Sequence, residues 1–456
     1  MNRISYTKRL SYAVSDTAGQ LVFCVISNYL LYFYTDVYGI SVGVAGTILL
    51  VARCIDGIDA PVWGFILDKT HSRFGKSRPW FLWLCVPFAV FGVLTFLSPN
   101  LGTTAKAFYA AGTYIVCGIL YTGINTPVTS ILSALTPDPQ ERVMLTTYRM
   151  IGSKAGVLIV NATALPLVAW LGRGNDRLGF TLTMPIYATG TILLFLLAFR
   201  NLEEVVKEDK KPLPVLSTFG AIKGNWPWII IFLSSLFFWI AYISRVSAVI
   251  YYFTYVLNRK DLVPLVNSLD IVSLTAVVFM PWACRFMSKA NMWALGLVGS
   301  VLGQVMMYFG QPSIPMVLGG WIFATITGGV AMAIPFSILS DSVDYGEWKT
   351  GVRAAGLLTA VGAAFCLKAG SGIGGALPAW IMAAHGYVPN VAQTASSIAG
   401  IEIGFIWLPA AFFTLSLLPV LFYHKYEVME PQIHKALDER RAAASLELRA
   451  IHRQEG

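Results

Sequence analysis

Leu50-Val51-Ala52-Arg53-Cys54-Ile55-Asp56-Gly57-Ile58-Asp59-Ala60-Pro61-Val62-Trp63 decides how this chain is read. One arginine and two aspartates stand inside an apolar run, 42–67, long enough to cross a bilayer. An ionised side chain at the centre of a membrane helix costs about 2.5–3.5 kcal/mol, so it faces a bundle interior or an aqueous cavity rather than lipid. Asp56 and Asp59 are three residues apart and share one helix face. Two neighbouring carboxylates stay ionised together only beside a compensating cation or a fixed positive group. The stretch reads as part of an ion or proton path through a membrane protein.

The rest of the chain agrees. Of 456 residues, 56% are hydrophobic and 12% charged, with mean hydropathy +0.64. Soluble domains carry about twice that charged share. Twelve runs reach the ~20 residues that cross a ~30 Å hydrocarbon core: 12–36, 42–67, 80–97, 105–134, 143–170, 182–200, 227–257, 263–286, 291–310, 314–338, 355–385 and 401–424. Lipid offers no partner to an unpaired backbone group, so these runs are expected to be helices. The first exceeds the apolar core of a cleavable signal.

A polar, proline-containing stretch separates spans six and seven. The expected organisation is an N-terminal six-helix bundle (1–200), a cytoplasmic linker (201–226), a C-terminal six-helix bundle (227–424) and a cytoplasmic tail (425–456) that reads as a solvated helix. Arg73, Lys76 and Arg78 after span two, Arg285 and Lys289 after span eight, and Lys349 and Arg353 after span ten put those loops and both termini on the cytoplasmic side. The net charge of +9 is then basic charge retained by membrane topology, with no call for nucleic acid. A multi-pass protein of the cytoplasmic (inner) membrane is expected, working as a monomer. The halves echo each other: Leu132-Ser133 precedes Asp138 and Glu141, and Leu339-Ser340 precedes Asp344 and Glu347. Duplicated transporters carry such matches at equivalent positions.

The intramembrane acids are Asp16, Asp56, Asp59 and Asp270; the bases are Arg53, Arg149, Lys154, Arg245 and Lys368. Snorkelling to the interface is the alternative for Asp16, Lys154 and Asp270. Lys368 stands among small residues that let helices approach closely, where a carboxylate or a ligand is its expected partner. Hard cations take oxygen ligands, so Thr122 is a candidate to complete a site begun by Asp56. The tyrosine-rich stretches 28–36 and 251–255 read as interfacial aromatic belts, with stacking on a sugar ring as the sharper alternative. Five bases against four acids tilt a cavity positive and favour an anionic substrate, whereas bases consumed by the acids leave room for a neutral one. The six cysteines show no metal-ligand spacing and read as packing residues. Without a Walker, dinucleotide, zinc or hydrolase motif, the sequence argues for neither an enzyme nor a cofactor.

Five motifs carry a resemblance: Tyr32-Phe33-Tyr34-Thr35-Asp36-Val37; the Leu50–Asp56 stretch; Ser72-Arg73-Phe74-Gly75-Lys76-Ser77-Arg78-Pro79-Trp80; Asp341-Ser342-Val343-Asp344-Tyr345-Gly346-Glu347-Trp348; and Gly386-Tyr387-Val388-Pro389-Asn390. The chain resembles the glycoside–pentoside–hexuronide:cation symporters, the melibiose-permease-like branch of the major facilitator fold. The resemblance implies sugar or glycoside import with Na⁺, Li⁺ or H⁺ by alternating access. It puts Asp56, Asp59 and Thr122 at the cation site and Asp16, Gln20, Asn125, Arg149, Arg245 and Lys368 at the sugar site. Arg53, Lys154, Asp68, Arg73, Lys76, Asp341, Asp344 and Glu347 fall in the charge network and cytoplasmic gate. Two sugar-gripping aspartates of the melibiose-type members are Gln20 and Asn125 here, their stacking tryptophans are Thr129 and Met332, and their second cation-site aspartate is Ala60. These departures point away from a melibiose-type galactoside, towards a hexuronide, a sulfonated sugar or another glycoside, and leave H⁺ and Na⁺ both open. An uncoupled facilitator, or a lipid transporter or sensor on the same scaffold, is the competing expectation.

Overall fold

The computed structural model describes residues 4–136, 138–204, 224–351, 358, 362 and 365–454. Helix is the only regular structure among them. The first half of the chain forms α1 (Tyr6–Tyr32), α2 (Val42–Asp68), α3 (Arg78–Thr95), α4 (Thr103–Leu135), α5 (Pro139–Gly172) and α6 (Asp176–Asn201). The second forms α7 (Trp226–Tyr251), α8 (Val263–Ser268), α9 (Ser273–Ala283), α10 (Lys289–Phe309), α11 (Ile314–Thr350), α12 (Cys366–Ala384), α13 (Ala395–Glu402), α14 (Leu408–Val420) and α15 (His424–Gln454). Of the expected linker, 205–223 lie outside the described residues.

Ten stretches among the described residues are long and apolar enough to cross a membrane, against the twelve expected. The shortfall has two sources. α2 is 27 residues long, but no 18-residue window of it escapes Arg53, Asp56 and Asp59 together. The run 355–385 falls partly outside the described residues, and the 19 residues of α12 that remain, which carry Lys368 and four glycines, are long enough but not apolar enough. The expected span 263–286 is broken: a 3₁₀ turn, Leu269–Val272, separates α8 from α9. α11 runs on to Thr350, so Asp341, Asp344 and Glu347 stand on its last turns rather than in a loop.

The chain divides into two compact units. The first holds the described residues of Met1–Lys210, Ile243–Ile271 and Ser371–Leu408. Here α1 packs along α5 and α6, α3 lies between α4 and α6, and α2 packs on α4. The α1–α5 contact rests on glycine: a Cβ at Gly152 would stand 2.1 Å from the Ala13 carbonyl oxygen, and one at Gly156 2.9 Å from Gln20 Cβ. Small residues let membrane helices close to this distance. The second unit holds the described residues of Lys211–Tyr242, Val272–Gly370 and Pro409–Gly456. Its core is α11, packed on α9, α10 and the tail helix α15.

The ends of α1 and α7 are copies of one design. Each runs into a π turn, Phe33–Val37 and Tyr252–Val256. Tyr38 N–H donates to Phe33 O at 2.8 Å and Ile40 N–H to Tyr34 O at 2.7 Å; Leu257 N–H donates to Tyr252 O at 3.1 Å and Arg259 N–H to Phe253 O at 2.7 Å. All four positions are offset by 219 residues, and so are Asp36 and Tyr255, which hydrogen-bond each other. Tyr32 and its equivalent Tyr251 also touch, edge to face, at 6.2 Å between ring centroids.

Candidate functional site

α1 and its π turn carry a polar residue at every fourth position: Asp16, Gln20, Cys24, Asn28, Tyr32 and Asp36. Four residues advance a helix by one turn and about 40°, so the row follows one slowly turning face. Every rung has a partner. Asp16 Oδ2 lies 3.4 Å from Arg149 Nε, and Arg149 Nη2 donates to Asn125 Oδ1 at 3.4 Å. Gln20 Nε2 donates to Ser153 Oγ at 3.2 Å. Asn28 Nδ2 and the Cys24 thiol donate to Asn161 Oδ1 at 2.6 and 3.5 Å. Asn161 then donates to the Asn267 carbonyl at 2.9 Å, and Asn267 Nδ2 to the Tyr29 hydroxyl at 3.2 Å. Tyr32 OH and Lys260 Nζ both donate to Asp176 Oδ2, at 3.0 and 2.6 Å.

The row ends on a buried hub. Asp36, 8% exposed, accepts from Tyr387 OH at 2.8 and 3.0 Å, from Thr35 Oγ1 at 2.5 Å and from Tyr255 OH. Its carbonyl accepts from Asn390 Nδ2 at 2.6 Å. Beside the hub lies a cavity of about 700 Å³ lined by Asp36, Asp176, Arg177, Tyr255, Lys260 and Asn390 among others. The expected aromatic belts are instead largely core: Tyr29, Tyr34, Tyr251 and Tyr252 are fully buried. Their hydroxyls explain the inward position, since Tyr34 reaches the Ala110 carbonyl at 2.9 Å and Tyr251 lies 2.7 Å from Thr35 Oγ1.

On α2, Arg53 Nη1 pairs with Asp56 Oδ2 at 3.1 Å, and both are largely withdrawn from solvent. The guanidinium lies 5.3 Å over the Phe23 ring, which stacks on Tyr121 at 4.2 Å. Asp56 is held against α4 where that helix has no side chain: a Cβ on Gly118 would be 2.7 Å from Asp56 Oδ1. Thr122 stands one turn further along α4, and Asp59 is buried at 8% exposure. Lys154 Nζ pairs with Asp270 Oδ2 at 3.1 Å. Snorkelling is thereby displaced for Asp16, Lys154 and Asp270 by ion pairs inside the first unit.

The other anticipated residues lie on other elements. Arg245 is buried in α7, and Lys368 is half-buried in α12 within the second unit. Asp341 accepts from Lys289 Nζ at 2.8 Å and from Tyr423 OH at 3.0 Å, and Lys289 also reaches Glu430 at 3.0 Å. Burial pushes the Asp341 carboxyl above its usual range, although Lys289 pulls the other way. Asp344 and Glu347 are half-buried on α11. Arg73 is exposed with its guanidinium 4.7 Å over the Phe74 ring, and the Asp68 side chain lies outside the described residues. Glu204 accepts from the backbone N–H groups of Lys76, Ser77 and Arg78 at 2.9, 2.7 and 2.9 Å, capping α3. Glu427, after the last apolar helix, caps α10 through Ala290 N–H at 2.8 Å. Asp36, Asp176, Lys260, Tyr255, Tyr387 and Asn390 were not anticipated as a group. The four-residue row on α1, and Tyr32-Phe33-Tyr34-Thr35-Asp36-Val37 against Tyr251-Tyr252-Phe253-Thr254-Tyr255-Val256, were the signals for them.

An intramembrane row of paired charges and amides is the equipment of a solute carrier. A family model described as MFS/sugar transport protein matches residues 11–425. The chain belongs to that family. It is a multi-pass integral membrane protein and a secondary transporter of the major facilitator fold, from a family of transporters rather than enzymes. The isoprimeverose transporter of Lactiplantibacillus pentosus is 39% identical over 97% of this chain and 93% of its own length. The inner membrane symporter YicJ of Escherichia coli (strain K12) is 31% identical over 92% of each chain. Among solved structures, a D-xylose-proton symporter superposes with a TM-score of 0.65 at 16% identity, covering 92% of this chain and 97% of that one, a likeness of fold alone.

Proposed function

We propose that this transporter imports a neutral glycoside together with a proton, by alternating access of two six-helix halves whose termini face the cytoplasm. Within its family the five motifs favour the glycoside–pentoside–hexuronide:cation branch. One observation carries the choice of a neutral substrate: three intramembrane bases each have a carboxylate, Arg53 with Asp56, Arg149 with Asp16 and Lys154 with Asp270. Those pairs answer three of the five bases inside the protein, which weakens the case for a hexuronide or sulfonated sugar. What remains suits sugar hydroxyls, which both donate and accept: Gln20, Asn125, Ser153 and the Asp16–Arg149 pair. The isoprimeverose transporter at 39% identity supports the same class. Arg245 and Lys368 belong to this reading as further sugar-site or half-to-half contacts.

Asp56, Asp59 and Thr122 form the coupling site. A hard cation collects several oxygens, yet one oxygen of Asp56 already faces Arg53 at 3.1 Å. A proton needs only one carboxylate oxygen, and its arrival weakens the Arg53 pair, which changes how α2 is held. The Asp36 hub is the outer closure that separates when the halves rock. The cation and the glycoside must favour the same state, so each tightens the other by the same factor.

Isoprimeverose uptake into proteoliposomes tests this. Accumulation driven by an inward pH gradient, unaffected by Na⁺, is expected and is abolished by a protonophore. Uptake that merely equilibrates, unchanged by any gradient, establishes a facilitator instead. Transport of a sulfonated sugar but of no neutral glycoside overturns the substrate class.

A further inference from the structure

The Lys154–Asp270 pair joins elements from the two halves of the chain, α5 and the 3₁₀ turn Leu269–Val272. That turn interrupts a membrane-spanning stretch, Lys260–Met280. Irregular backbone at membrane depth is tolerated where it is buried in protein or lines a water-filled cavity, and broken helices of transporters build binding sites at such points. Neither Gly nor Pro stands at Asn267-Ser268-Leu269-Asp270-Ile271-Val272 to force the interruption. The two side chains retain 30% and 18% exposure, more than the 15% and 9% of the Arg53–Asp56 pair. An ion pair exposed to hydrocarbon is costly, so that exposure belongs to an aqueous space. On α5, Lys154 follows Ser153, the partner of Gln20, and lies five residues beyond Arg149.

We infer that Lys154 and Asp270 are substrate-gripping, specificity-determining residues, and that two neighbouring hydroxyls of a glycoside insert between them. The inference rests on the glycoside reading above and names a site within it. An ammonium only donates and a carboxylate only accepts, whereas a hydroxyl does both. A vicinal diol therefore accepts from Lys154 Nζ with one oxygen and donates to Asp270 with the other, exchanging one charge-assisted contact for two. It also couples binding to motion. Lys154 comes from one chain half and Asp270 from the other, so a bridging diol senses their separation and binds the access states unequally. Unequal affinity is what lets a ligand shift a conformational equilibrium.

A purely structural pair predicts different behaviour. Removing one member leaves a charge stranded, and removing both is close to neutral. The test is the double variant Lys154→Gln/Asp270→Asn in proteoliposomes, with isoprimeverose as probe and the wild-type protein alongside. Expected are wild-type thermal stability, a KM raised about tenfold or more, and a maximal rate within about twofold. Asp270→Glu keeps the charge and moves it by one methylene; a KM at least several-fold higher is expected with the fold intact. A wild-type KM in either variant overturns the inference, as does loss of proton coupling at unchanged KM. Should the wild-type protein move none of a panel of neutral glycosides, the functional reading itself is what fails.

Discussion

Replacing Asp36 with asparagine separates a gate from a structural hub. The carboxylate gathers Tyr387, Thr35 and Tyr255 hydroxyls at a place where helix ends of both chain halves meet. Hydrogen bonds to a charged group contribute about 1.5–3 kcal/mol against about 0.5–1.5 for neutral ones. Thr35 neighbours Asp36 on the same turn and moves with it, so only Tyr387 and Tyr255 bridge from the other chain half. Two weakened contacts at roughly 1 kcal/mol each bring the closed end about 2 kcal/mol nearer to its open form. Since 1.4 kcal/mol is a factor of ten, the open population rises on the order of 30-fold. Cys24 reports this directly: it is buried, on the same row of α1, and twelve residues or about 18 Å inward of Asp36. Whole cells are treated with a membrane-impermeant thiol reagent and Cys24 modification is followed by peptide mass spectrometry. The rate is expected to rise on the order of 30-fold in Asp36→Asn, with Tyr387→Phe between it and wild type. An unchanged rate in a variant of wild-type thermal stability refutes the gate.

Other consequences follow from the same geometry. Gly152→Ala drives a Cβ against the Ala13 backbone at 2.1 Å; overpacking against backbone costs about 1–3 kcal/mol or more, and thermal melting in detergent is expected to show a clear loss of stability. Arg149→Gln strands the Asp16 carboxylate and removes the link to Asn125, so the glycoside KM is expected to rise at least tenfold while the purified protein still melts cooperatively. Glu204→Gln weakens a cap that satisfies three N–H groups; a loss of about 1 kcal/mol is expected, read as a lower melting temperature with KM unchanged.

Much of this was legible in the chain. The charges of α2 and the polar residues of α1 announce themselves because apolar runs make them conspicuous, and the apolar runs themselves give the helices. The partners were not legible, because Asp16–Arg149, Lys154–Asp270 and Asp36–Tyr387 join residues 133, 116 and 351 apart. Composition misled at the tyrosines: an amphipathic ring at a helix end suits a membrane interface, but it also suits burial when a carboxylate or carbonyl waits for the hydroxyl. The break at Leu269–Val272 carries no glycine or proline to mark it. The repeat of Tyr32–Val37 in Tyr251–Val256 was present in the sequence, yet only its shared π turns and the Asp36–Tyr255 bond give it a meaning.

A proton on the α2 carboxylates is proposed to drive glycoside accumulation. Asp56→Asn measures it, by comparing isoprimeverose counterflow with pH-gradient-driven uptake in the same proteoliposomes. Counterflow is expected to persist while accumulation above the outside concentration is lost. Accumulation at the wild-type level in Asp56→Asn shows instead that this carboxylate carries no coupling proton.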